Sequence, residues 1–340
     1  MTARPRAILV CHAGGATGVV PPGSLPASHP LIDAIDAMRL EYGLDPLAEL
    51  DRAAFDPARH LRPANAAAAL FVRALLDGER AEDDVELVAI TGSSIGWYTA
   101  LAVAGALPLA DAFRALQEVA LLGEQLAATR GGGQVLYPVT DAGWRPAADQ
   151  QAAVVEALAN GSGGAGGTYR SIDFGSYQVL AGDAQGVAML LERLPAVRHG
   201  ERRFPLRLAL QGPDHSPLAE DVAEAAGDRL SLRWQAPRVP LVDGRGARWS
   251  PWSTDPAALR HYSLGALLVE PFDFATALRV TLREYAPDHV VVAGPAGPLN
   301  AIVGQLLVAE GYRGMRDKAA FQAAQRSATP LVLSMGQATA

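Results

Sequence analysis

The stretch ITGSSIGWYTALAVAGALPLADAFRALQEVALL, residues 90–122, carries the reading of the chain. The residues leading into it, VELVAIT at 85–91, are apolar and β-branched. They are bounded by Asp83, Asp84 and Gly92, the pattern of a buried strand. Helical spacing follows at 95–105 and again, amphipathic, at 109–126. Between strand and helix stands G-S-S-I-G, Gly92 to Gly96. Glycines on either side of a serine allow a sharp strand–turn–helix that holds the Ser94 hydroxyl clear of the sheet. The Ile95 amide then opens a helix, where outward N–H groups and the peptide dipoles favour an oxyanion. The pentapeptide alone also fits an ordinary small-residue turn. The strand before it and the helix after it favour a nucleophile.

Outward from this stretch, the chain reads as a large globular protein. It has 340 residues, 49% hydrophobic and 19% charged, with a formal net charge of −7. The acidic balance does not point to nucleic acid, which demands a basic face. Cys11 is the only cysteine, so no disulfide forms within the chain and a cysteine-based zinc site is not expected. The apolar run near the N-terminus is too short for a signal peptide, and no window approaches the length of a transmembrane helix. These features lead us to expect a soluble, cytoplasmic protein.

Residues 7–11 (AILVC) form a short apolar run entering the glycine-rich HAGGATG, and residues 289–293 (HVVVA) another entering GPAGPL. Both read as buried strands. Helices are expected at 31–42, 64–76, 216–226, 256–264, 273–285 and 300–310. At 130–133 the character changes. A strand at 134–139, a helix at 147–160, strands at 168–174 and 177–181, a helix at 183–194 and a strand at 203–210 give the order β-α-β-β-α-β, the split βαβ motif. The expected organisation is a discontinuous core over 1–130 and 206–335, a small subdomain over 131–205, and a tail at 336–340.

A nucleophilic serine needs a base. Among the seven histidines, His289 opens an apolar strand, His261 lies in a helical segment, and His29, His60 and His199 lie in polar, loop-like stretches. His12 sits in the glycine-rich loop. His215, in QGPDHSPL, follows a strand and precedes a helix, the strand-end position where α/β enzymes place ligands.

With Ser94 and His215 in hand, the chain resembles the malonyl-CoA:acyl-carrier-protein transacylases and the acyltransferase domains of polyketide and fatty-acid synthases. The resemblance rests on GSSIGWYTAL continuing into AGALPLADA (Gly92 to Ala112) and on GPDHSPL (Gly212 to Leu218). It extends to CHAGGAT (Cys11 to Thr17), YQVLAG (Tyr177 to Gly182) and GPAGPL (Gly294 to Leu299), in the family's order over nearly the whole chain. It implies an α/β-hydrolase-like core with an inserted ferredoxin-like subdomain. It implies Ser94 as nucleophile, His215 as base and then acid, the amides of Ile95 and Gly14 as oxyanion hole, and the Leu267 carbonyl orienting His215 in place of a carboxylate. The cycle implied is ping-pong: an acyl-CoA or acyl-carrier-protein thioester acylates Ser94, and the phosphopantetheine thiol of an acyl carrier protein takes the acyl group. That chemistry needs no cofactor or metal, and monomers are common in the family.

Several positions depart from the family pattern. The residue 25 positions after Ser94 is Val119, where malonyl-using members carry an arginine for the substrate carboxylate. A valine there disfavours malonyl, unless an arginine such as Arg130 or Arg170 enters from elsewhere; Arg114 lies on another helix face. Ser93 replaces a His or Gln before the nucleophile. Asp214 replaces Phe or Ser before the catalytic histidine, where it would repel a carboxylate and could receive an ammonium or hydroxyl. Asn65 and Trp97 are further candidates for the acyl pocket. The expected function is therefore transfer of a non-malonyl acyl group. A hydrolase of the same fold that clears carrier proteins, a malonyltransferase using another arginine, and a non-catalytic carrier-docking protein are the alternatives.

Overall fold

In the structure, a computed structural model, residues 4–12, 18–159, 166–295 and 297–336 are described. The apolar runs become the middle of a six-stranded sheet. Strands β1 (Arg6–Cys11), β2 (Glu86–Gly92), β3 (Gly133–Pro138), β4 (Thr168–Asp173), β5 (Tyr177–Gly182), β6 (Val197–His199), β7 (Arg202–Phe204), β8 (Leu206–Arg207), β9 (Leu241–Val242), β10 (Arg248–Trp249), β11 (Phe272–Asp273), β12 (His289–Ala293) and β13 (Val332–Ser334) follow in chain order. The larger sheet runs β10-β9-β2-β1-β12-β13. All its pairs are parallel except β9 with β10. Ala7 to Cys11 are all fully buried, because a central parallel strand is covered by helices on both faces.

Register decides where the site lies. Cys11 pairs with Gly92 on one side and with Ala293 on the other. Three strands thus end level, and the segments leaving them emerge together at the carboxyl edge of the sheet, where open α/β sheets bind ligands.

The second sheet runs β11-β4-β5-β3-β8. Strands β4, β5, β3 and β8 pair antiparallel in that order, and the helices Ala148–Ala159 and Ala184–Arg193 pack on this sheet. This is the split βαβ order read from the sequence. The fold is thus a mixed α/β one with an α/β-hydrolase-like core and a ferredoxin-like unit. The expected strand at 203–210 is two strands. Arg202–Phe204 turns back on Val197–His199, and Leu206–Arg207 pairs with β3. Pro205 between them has no N–H to continue a ladder.

The expected helix at 64–76 extends over Pro63–Asp84. Its first free amide, that of Ala64, is satisfied by the Glu124 carboxylate at 2.7 Å, on the helix Leu109–Arg130. The two helices stay packed along their length beside the elbow helix Gly96–Val103. No helix among the described residues is long and apolar enough to cross a membrane.

Candidate active site

The elbow forms because two glycines leave room for it. A Cβ on Gly92 would lie 2.3 Å from the Gly96 carbonyl oxygen, and one on Gly96 would lie 2.6 Å from that of Cys11. Both obstacles are backbone, so neither position admits a side chain. Between them Ser94 takes φ 52°, a left-handed conformation that costs a non-glycine residue of order 1 kcal/mol. The Gly96 amide bonds the Ser93 carbonyl at 2.9 Å and the Trp97 amide bonds that of Ser94 at 2.9 Å. The Ile95 N–H is left without a partner among the described residues, at the start of the elbow helix.

His215 approaches from the loop after β8 and also has positive φ, 55°. Its Nε2 lies 2.6 Å from Ser94 Oγ, and its Nδ1 lies 2.6 Å from the Leu267 carbonyl oxygen. A carbonyl only accepts, so Nδ1 carries the proton and Nε2 is left to accept from the serine. His215 is 3% exposed. Burial pushes its pKa down to about 4, partly countered by the Leu267 hydrogen bond. The imidazole is therefore neutral over the physiological range, in the tautomer that a general base requires.

The carbonyl that orients His215 is delivered by a helix irregularity absent from the sequence reading. Residues 256–269 are helical, but Tyr262–Ala266 form a π-helical turn. Widened turns of this kind free backbone groups and recur at functional sites. Here the Ser263 carbonyl accepts from Tyr98 Oη at 2.8 Å, and Ser263 Oγ accepts from Trp97 Nε1 at 2.8 Å. The helix then ends at Val269. Its last carbonyls, left without intrahelical donors, receive His215 twice: Leu267 O from Nδ1 and Leu268 O from the backbone amide at 2.9 Å. The elbow helix and the histidine loop are thus braced on one segment. From the other side, Ser171 Oγ on β4 donates to the Asp214 carbonyl at 2.8 Å, and Gln134 on β3 donates to Ser171 at 2.8 Å.

Ser94, Ile95 and His215 open onto a cavity that continues to solvent. Its walls are mostly apolar and include Val119, Ala120, Ile172, Phe174, Leu208 and Leu268. Asp214 also lines it, and among the described residues neither arginine nor lysine does. The Asp214 carboxylate leans on the helix Leu109–Arg130: its Oδ1 is 3.7 Å from the place a Cβ on Gly123 would occupy. Desolvation at this part-buried position pushes its pKa up to about 6.

The structure thus brings Ser94, Ile95, His215, Leu267, Val119 and Asp214 together and leaves three expected pocket residues elsewhere. Trp97 is fully buried in the core, edge-on to Tyr262. The elbow turns it inward, three positions after Ser94. Ser93 is fully buried beneath the turn, its Oγ without a partner among the described residues. Asn65 accepts from the buried Arg39 at 2.7 Å, donates to the Arg59 carbonyl at 2.9 Å, and lines a separate small cavity. Gly14 lies outside the described residues. Arg130 pairs with Asp221 and Arg170 with Asp173, both at the surface. Arg114 sits beside Asp111 and Glu41, away from the cavity.

No family model matches the chain, and no curated protein does. Solved structures match over nearly its whole length. An acyl-carrier-protein S-malonyltransferase from Burkholderia pseudomallei is 19% identical, covering 98% of this chain and 97% of that one, with a TM-score of 0.71. A malonyl-CoA:acyl carrier protein transacylase from Xanthomonas oryzae is 23% identical, covering 90% and 92%, also at 0.71. A malonyl-transacylase solved with its type II polyketide synthase acyl-carrier protein is 17% identical, covering 89% and 93%, at 0.70. The chain therefore has the fold of the malonyl-CoA:acyl-carrier-protein transacylases.

Proposed function

We propose that this protein is an acyltransferase, a divergent relative of those transacylases, that moves an acyl group from a thioester donor through acyl-Ser94 to an acyl carrier protein. The carrying observation is the hydrogen-bond chain Ser94 Oγ–His215 Nε2, His215 Nδ1–Leu267 O, set on a transacylase fold. Ser94 Oγ attacks the thioester carbonyl as its proton passes to His215 Nε2. The oxyanion forms beside the free Ile95 N–H, with Gly14 as the expected second donor. Collapse breaks the C–S bond, and the proton on Nε2 leaves with the departing thiol. The phosphopantetheine thiol of the carrier then gives its proton to the same nitrogen and attacks the ester, and Ser94 leaves reprotonated. The donor is an acyl-CoA or an acyl carrier protein, and the cycle calls on no cofactor.

The acyl group in this reading is not malonyl. A malonyl carboxylate would meet Val119 and Asp214 rather than a cation, and a buried carboxylate without a partner costs several kcal/mol. The test is intact-mass detection of acyl-enzyme after incubation with a panel of acyl-CoAs, followed by addition of holo-carrier. A monocarboxylic acyl adduct, absent in Ser94→Ala and discharged by the carrier, is expected. Rapid discharge to water without carrier would instead make the protein a hydrolase. Labelling by malonyl-CoA alone would remove the non-malonyl assignment.

A further inference from the structure

The cavity beside Ser94 has one feature that acyl transfer does not use. Asp214 places a carboxylate among apolar walls, no donor among the described residues reaches its side chain, and no arginine or lysine among them lines the space. Acidic side chains taken from water are ordinarily paired. Here the part-buried carboxylate has no partner among the described residues and faces the space a substrate must enter.

Resting on the acyltransferase reading, we propose that the acyl group carries an amine, bound as an ammonium by Asp214. The source of the cation follows from the chemistry of thioester donors. Phosphopantetheine is an uncharged amide chain ending in phosphate, and coenzyme A adds only further anions at neutral pH. A positive charge can therefore reach Asp214 only on the acyl chain itself. Val119, one helical turn before Gly123, and the walls at Ile172, Phe174 and Leu268 suit the hydrocarbon part of that chain. An ammonium gains charge attraction as well as a hydrogen bond, and charge-assisted bonds are about twice as strong as neutral ones. A hydroxyl would leave the carboxylate charge uncompensated. A malonyl or succinyl group would add a second negative charge.

The test uses chain-matched pantetheine thioesters: butyryl, β-hydroxybutyryl, α- and β-aminobutyryl, and malonyl. The initial rate of Ser94 acylation is read by intact mass. One aminobutyryl thioester should acylate Ser94 at least about tenfold faster than butyryl, a difference that one charge-assisted contact supplies. Asp214→Asn, nearly isosteric, should bring that ratio close to unity, and Asp214→Leu should invert it. Equal rates for amino and butyryl chains, a β-hydroxybutyryl preference, or an amino preference surviving Asp214→Asn would each overturn the proposal. The two readings fail separately. Acylation by butyryl without amine preference refutes the ammonium and leaves the acyltransferase standing. No acylation by any of these acyl groups, offered on pantetheine and on a holo-carrier protein, refutes the acyltransferase reading beneath it.

Discussion

Two walls of one cavity are built on opposite rules. On the Ser94 wall the polar chain is closed: serine to His215, His215 to Leu267 at 2.6 Å each, with the supporting segment fastened to the elbow helix by Tyr98 and Trp97. On the Asp214 wall the carboxylate is left open among apolar side chains. A closed chain has its proton positions fixed before any substrate arrives, which suits chemistry common to many acyl groups. An open charge is completed only by one kind of ligand, which suits selection. In the proposed reading, the first wall sets the reaction class and the second the substrate class.

The largest effect should come from breaking the closed wall. His215→Gln keeps a polar side chain but cannot take the serine proton, and should slow Ser94 acylation by roughly a thousandfold. The wild-type pH profile sharpens the point. Because burial holds His215 at about 4, the acid limb of single-turnover acylation should fall near pH 4, well below the ordinary histidine range. A limb near the unperturbed value of about 6.5 would mean that the imidazole is far more solvated than its position beneath Phe272 allows. Stability has the same sign. A histidine whose folded pKa is depressed binds fewer protons folded than unfolded, so its contribution is intact above the unfolded pKa and declines as pH drops from there toward 4.

Asp214 should behave in the opposite sense, with a smaller effect. Its folded pKa, about 6, lies above the ordinary carboxyl value. The folded state therefore holds its proton more tightly than the unfolded chain. Its contribution is fully present below the unfolded carboxyl pKa and is lost as pH rises through 6. Asp214→Asn removes that loss. The variant should match wild type near pH 4 and exceed it in mildly alkaline buffer by about 1–2 kcal/mol, read as the difference in denaturation midpoint. A variant less stable than wild type on the alkaline side would show that the carboxylate already has a partner.

The two walls also differ in how far the sequence reveals them. The elbow was legible because steric necessity writes it locally: only glycine fits at 92 and 96, and a β-branched run must precede them. His215 and Leu267 were legible by position in a resembling family, with no periodicity to mark them. The π-helical turn was not legible, since SLGALL reads as ordinary helix and only tertiary bonds from Trp97 and Tyr98 show the widening. Trp97, Ser93 and Asn65 were expected at the pocket and lie elsewhere, because motif position says which residues are near a turn, not which way it faces them. The short strands β9, β10, β11 and β13 were missed for a related reason. Runs of two or three residues carry no alternation to read, and Phe272–Asp273 is a strand only because β4 is there to pair with it.

The smallest single change tests whether the walls are independent. Val119→Arg places a cation where malonyl-using relatives of this fold are expected to have one. One helical turn on, Asp214 already waits beside Gly123. Residues four apart on a helix share a face, so the new guanidinium falls within reach of that carboxylate. It should pair there rather than with substrate, because an intramolecular partner is always present and a substrate must displace it. Malonyl labelling of Ser94 should therefore change by less than about threefold in Val119→Arg. In the double variant with Asp214→Ser the arginine is released, and malonyl labelling should rise by about tenfold or more. Equal gains in the single and double variants would show that Asp214 does not reach the acyl position. The coupling between the two substitutions, rather than either alone, measures how much of the substrate choice rests on that one carboxylate.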